Sequence, residues 1–71
     1  MKTYQGVEIY DTKNERVGGL VRIDLSNNPF GDLVLLYGGT LLCDRHGDLL
    51  VVDTFEKAEG FIDCLLAIGY I

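Results

Sequence analysis

Positive charge is scarce in this chain. Six Lys and Arg stand against eleven Asp and Glu in 71 residues, for a net charge of −5. Neutralising phosphates takes clustered basic side chains, so direct binding to nucleic acid or to anionic membrane surfaces is disfavoured. Long apolar runs are also missing. The uncharged run Leu33–Cys43 is interrupted by Gly38-Gly39 and falls short of the ~20 residues that span a bilayer. No apolar secretory core follows Met1-Lys2, so the expected compartment is cytoplasmic, with Cys43 and Cys64 as reduced thiols.

Histidine and cysteine are too few for a persuasive metal site. Cys43-x-x-His46 with Cys64 supplies three soft ligands, whereas a structural zinc site takes four, usually as two close pairs. Asp44 or Asp48 as a fourth ligand would be a rescue, and the plainer reading is two cysteines packed as small apolar groups. Asp44, His46 and Asp48 invite an acid–base reading, but they share one turn and no nucleophile–base pair accompanies them. Neither Gly18-Gly19 nor Gly38-Gly39 leads from a strand into a helix N-terminus, as a phosphate cradle must. The expectation is a non-enzymatic protein without cofactor or metal.

What is abundant is apolar strand. Hydrophobic residues make up 48% of the chain and proline occurs once, the composition of one globular domain, residues 1–71. A chain this short buries only about 60% of its unfolded surface. Leu33–Cys43 and Leu49–Val52 carry apolar residues on both faces, and such strands need cover above and below. One convincing helix follows. The mismatch points to a second cover, either another copy of the chain or the sheet curling on itself.

Val7–Asp11 alternates as a half-buried strand, Thr12–Glu15 is a polar turn, and Val21, Ile23 and Leu25 alternate again. Residues 4–25 therefore read as an antiparallel hairpin. Gly38-Gly39 fits a two-residue hairpin turn or a bulge. Gly47 suits a tight turn into Leu49–Val52. Asp53, or else Thr54, caps a helix that ends near Ile68 with Gly69 in the left-handed position. Phe55, Ala58, Ile62, Leu65 and Leu66 form its core stripe, widened by Phe61, Cys64 and Ile68. The predicted fold is α+β, a four- to five-stranded antiparallel meander packed by one C-terminal helix.

Two surfaces follow. All the excess negative charge lies after residue 30, and Asp53, Glu56, Glu59 and Asp63 make an acidic ridge for a basic partner. Phe30, behind a stiffening proline in SNNPFGD, is an aromatic anchor candidate. The surplus apolar width at Phe61, Cys64 and Ile68, with Leu35, Leu42 and Leu50 on the strands, predicts self-association, most simply a homodimer. The plainer readings are a solvated helix face and a loop ring folded over the sheet edge.

The closing stretch VDTFEKAEGFIDCLLAIGYI (Val52–Ile71) is a strand, a polar cap, an aromatic and an Ala-Glu pair entering an amphipathic helix. It resembles the close of many small phage and mobile-element proteins, those of anti-CRISPR type among them. The resemblance implies a small inhibitor that occupies a basic, nucleic-acid-handling partner, such as a host nuclease or CRISPR effector. It carries over no functional residue.

Overall fold

The computed structural model describes residues 1–19 and 22–71. The chain is α+β: an antiparallel sheet precedes one C-terminal helix. In order the elements are β1 (Lys2–Tyr4), β2 (Val7–Asp11), β3 (Leu33–Tyr37), β4 (Thr40–Leu41), β5 (Val51–Val52) and α1 (Phe55–Ala67). The strands run β1-β2-β3-β4, with β5 also paired to β3.

The first hairpin is not the expected one. β1 and β2 pair with Tyr4 opposite Val7, across a turn in which Gln5 (φ 51°) and Gly6 (φ 81°) both take positive φ. β2 then pairs directly with β3, Ile9 opposite Leu35. Of the predicted return arm, Ile23 and Leu25 form no strand, and Val21 lies outside the described residues. The polar turn is as predicted: the amides of Asn14 and Glu15 donate to the Asp11 carbonyl.

Gly38-Gly39 makes a two-residue hairpin turn, not a bulge. Tyr37 pairs with Thr40, and the glycines have φ of 58° and 81°. The Leu42 amide continues the ladder to the Leu35 carbonyl at 2.9 Å, and Val51 resumes it opposite Val34. Leu42 and Val51 are thus neighbours in register, and β4 and β5 are two pieces of one edge strand. Residues 43–50 between them loop out as a small ear, with Cys43 opposite Leu49 and Gly47 at φ 85°.

Each face of the sheet has its own core. Val7, Ile9, Leu33, Leu35, Leu42 and Val52 face Ala58 and Ile62 of the helix, with Leu50 and Leu65 packed at the edge. On the other face Tyr10 and Val34 meet Val17, flanked by Ile23, Leu25, Leu49 and Val51. The segment after β2 therefore covers much of the face for which a second chain was expected. Ile23 and Leu25 alternate because they lie on that apolar surface, not because they pair in the sheet.

Thr54, not Asp53, caps the helix. Its backbone is extended and its hydroxyl accepts from the Lys57 amide at 3.1 Å. At the C-terminus, Gly69 (φ 74°) donates to the Leu66 carbonyl and the Tyr70 amide reaches back to Leu65, the paired bonds of a Schellman motif. The buried stripe is narrower than the periodicity suggests. Ala58 and Ile62 are fully buried, while Phe55 and Leu66 at its margin stay exposed.

Candidate functional site

The acidic ridge divides in two. Glu59 lies 3.5 Å from Lys2, and the Tyr4 hydroxyl donates to both oxygens of Asp63 at 2.9 and 3.1 Å. These two acids tie the helix to the sheet's first strand. The bond to Asp63 is the main reason the Tyr4 pKa is raised above 10.0, with loss of hydration next and then the Asp63 and Glu59 charges. Asp53 has its own cation, Lys57 Nζ at 3.0 Å one helical turn on, whose hydrogen bond holds the Asp53 carboxyl below its ordinary value. Glu56 forms no ion pair among the described residues and is exposed. Lys2 and Tyr4 were not anticipated as partners. Their signal was a two-residue spacing on a strand face matched to the four-residue spacing of Glu59 and Asp63 on a helix.

Phe30 is followed by a residue that packs on the Asp53 backbone. Phe30 is 70% exposed, so its ring is not folded over the sheet edge, yet its backbone is held. The Phe30 amide donates to Asn28 Oδ1 at 2.8 Å. Gly31 (φ 127°) packs so closely on β5 and the helix entry that a Cβ there would overlap the Val52 carbonyl oxygen and Asp53 Cα. No residue with a side chain fits this contact without displacement. The Phe30 ring lines a shallow surface hollow with Asp44, Asp48 and Leu49–Val51, while the residue after it packs on the entry of the helix that exposes Asp53 and Glu56. An exposed aromatic next to a held backbone is the arrangement expected of a binding anchor.

The self-association residues separate. Leu35 and Leu42 are buried within the chain's own core, which withdraws these two from any interface, and Leu50 packs at its edge half-buried. Close packing of the strand interior on Ala58 and Ile62 leaves Leu35 and Leu42 no route to solvent. Phe61 and Ile68 are 44% and 69% exposed. Cys64, between them on the same flank of the helix, is exposed too, so it is not the buried small apolar group the sequence suggested.

The ear gathers Cys43, Asp44, His46 and Asp48. Asp44 Oδ1 accepts from the amides of His46 and Asp48 at 2.8 and 3.0 Å, so that carboxylate shapes the turn. The Tyr70 hydroxyl pins the base of the ear by donating to the Cys43 carbonyl at 2.8 Å. Cys43 and Cys64 are both free. Among the described residues no three His, Cys, Asp or Glu side chains are grouped to hold a metal ion. No described helix is long and apolar enough to cross a membrane.

Compared with known proteins, the chain matches no protein-family model, no curated protein and no solved structure.

Proposed function

We propose that the chain is a non-enzymatic protein-interaction module that docks on a basic surface of a nucleic-acid-handling protein. Phe30 is the anchor and Asp53 and Glu56 are the charged rim. The exposed Phe30 ring on a held backbone carries this reading. Ordering a mobile loop backbone on binding costs about 1–2 kcal/mol per residue. The Gly31 contact with Val52 and Asp53 lowers that backbone cost in the free protein, so that binding has mainly the ring's own rotamer freedom to remove. The acidic second half of the chain supplies the complementary charge. The inhibitory role, that of an anti-defence protein acting on a nuclease or CRISPR effector, rests on the resemblance of Val52–Ile71 alone.

The reading is tested by placing a photo-cross-linking amino acid at Phe30 in the cell that makes the protein, with the same label at Lys13 as control. One dominant adduct is expected at position 30, weakened by salt and reduced severalfold by Asp53→Lys with Glu56→Lys. The same adduct pattern from both positions, or none from position 30, defeats Phe30 with Asp53 and Glu56 as the docking site.

A second reading has its own observation. Phe61, Cys64 and Ile68 form an exposed apolar flank that a second copy of the chain would cover, giving a homodimer with an assembly role and no inhibitory one.

A further inference from the structure

The sheet face opposite the helix is only partly covered. The row Tyr10–Val34–Val51 lies beneath Val17 and its neighbours. The next row, Thr3–Glu8–Leu36–Leu41, is covered less: Leu36 and Leu41 pack on the edge of that cluster and stay half-buried among the described residues. Glu8, Leu36 and Leu41 floor a groove of ≈ 850 Å³, rimmed by Gly6, Gly18 and Gly38-Gly39. Both hairpin turns fall at the same end of the sheet, because Glu8 pairs with Leu36. A Cβ built at Gly38 or Gly39 meets nothing within 4 Å, so these turns leave the groove mouth unobstructed.

The groove has one charged wall among the described residues. Glu8 and Tyr10 share its floor side, and Glu8 Oε1 accepts the Tyr10 hydroxyl at 2.7 Å. That bond orients the carboxylate and leaves its second oxygen without a hydrogen bond among the described residues. Leu36 and Leu41 are half-buried and supply an apolar bed two residues wide. A single anion above a short aliphatic bed matches a cation on a hydrocarbon stem. The groove volume suits several residues, not one side chain, and the bare glycine rims admit a backbone.

We infer that this groove receives an arginine-bearing extended segment of a protein partner, its guanidinium on Glu8 and its stem on Leu36 and Leu41. The inference rests on the reading above, since both require a basic protein partner, but it concerns a different face of the molecule.

The probe is the capped peptide acetyl-Gly-Leu-Arg-Leu-Gly-amide, titrated into the isotope-labelled full chain, with citrulline in place of arginine as the neutral isostere. Saturable amide shifts are expected at Gly6, Glu8, Gly18 and Gly38–Leu41, with the arginine peptide about fivefold tighter than its isostere, the upper range for an exposed charge pair. Glu8→Gln, which still accepts the Tyr10 hydroxyl, brings both peptides to the same affinity. Thr40→Arg, a cation at the exposed rim, weakens the arginine peptide without touching the core. Phe30→Ala leaves the titration unchanged. Equal affinity of the two peptides for the wild type, no groove shifts, or an unaltered titration in Glu8→Gln overturns the inference. Cross-linking at Phe30 together with any of those results leaves the interaction-module reading standing. Groove binding with no cross-link at Phe30 overturns the Phe30 site alone.

Discussion

Gly31 shows how one residue without a side chain sets the place of a neighbour that has a large one. With β5 and the helix entry this close, a Cβ at position 31 overlaps the Val52 carbonyl and the Asp53 backbone, and the positive φ adds its own strain. Gly31→Ala is therefore expected to destabilise the fold by roughly 2–4 kcal/mol, measured by denaturant unfolding. Phe30→Ala, whose ring is mostly in solvent, should stay within about 0.5 kcal/mol of the wild type. Similar losses for the two variants would mean the ring is structural and not an anchor. Tyr4 offers a second test at this scale. Its hydroxyl titrates above 10.0 in the folded chain, chiefly because it donates to Asp63, so the unfolded chain gives up that proton first as pH rises. The stabilisation is whole below pH 10 and is lost as pH climbs through the folded value. Asp63→Asn should return Tyr4 toward its ordinary titration, read as tyrosinate absorbance against Tyr4→Phe. An unmoved Tyr4 would show that the hydroxyl does not donate to Asp63 in solution.

Among the elements, the interrupted edge strand is the most informative. Leu42 faces the helix, Val51 the opposite side and Val52 the helix again, so the alternation runs unbroken across the gap left by residues 43–50. Joining Leu42 directly to Val51 should give a continuous partner for β3. The shortened chain is expected to fold, with lower stability because Leu49, Leu50 and the Tyr70 bond to Cys43 lose their roles. Retained strand and helix signal by circular dichroism, with dispersed amide resonances, is the outcome to look for; an unfolded product contradicts the register. The helix contributes through few residues, and Ile62→Ala is expected to cost about 2–5 kcal/mol, enough to unfold much of a domain this small. These elements differ in how openly the sequence declared them. β2, β3 and the helix with its glycine stop were legible because each is specified by neighbours in sequence, whereas Gly38-Gly39 fitted a turn and a bulge equally until the pairing of Tyr37 with Thr40 decided it. The partner of β2 was not. Val21, Ile23 and Leu25 carry the same period-two pattern as a strand, and period alone does not say whether apolar residues are hydrogen-bonded to a sheet or laid across it. β1 was missed because three residues show no period and glutamine rarely takes the left-handed position that Gln5 occupies. At the site, the acids and Phe30 could be read as candidates from charge and loop composition. Their division into paired and free members depends on Lys2, Tyr4 and Gly31, each brought in from far along the chain.

For the whole molecule, the excess of apolar strand over helical cover has a specific outcome. The segment after β2 screens much of the outer sheet face, so oligomerisation is not required to shelter the strands. Part of the remaining exposed apolar area lies at the helix, where Phe61, Cys64 and Ile68 follow one another at spacings of three and four and so share a flank. If two chains meet there, a twofold axis passes near the middle of that stripe and brings Cys64 close to its own copy. Three predictions then hang together. Sedimentation equilibrium should show mass rising toward twice the chain mass with concentration. Phe61→Lys with Ile68→Lys should abolish that rise, and mild oxidation should trap a Cys64–Cys64 dimer only at concentrations where association is seen. Both substitutions lie on exposed positions, so the double variant should unfold at nearly the wild-type denaturant midpoint, which separates loss of an interface from loss of fold. A monomer at all concentrations in the wild type would leave Phe61 and Ile68 as ordinary exposed apolar residues. Contact would then fall to the N-terminal end of the helix, where Asp53 and Glu56 are exposed and the Gly31 backbone that follows exposed Phe30 packs on the helix entry.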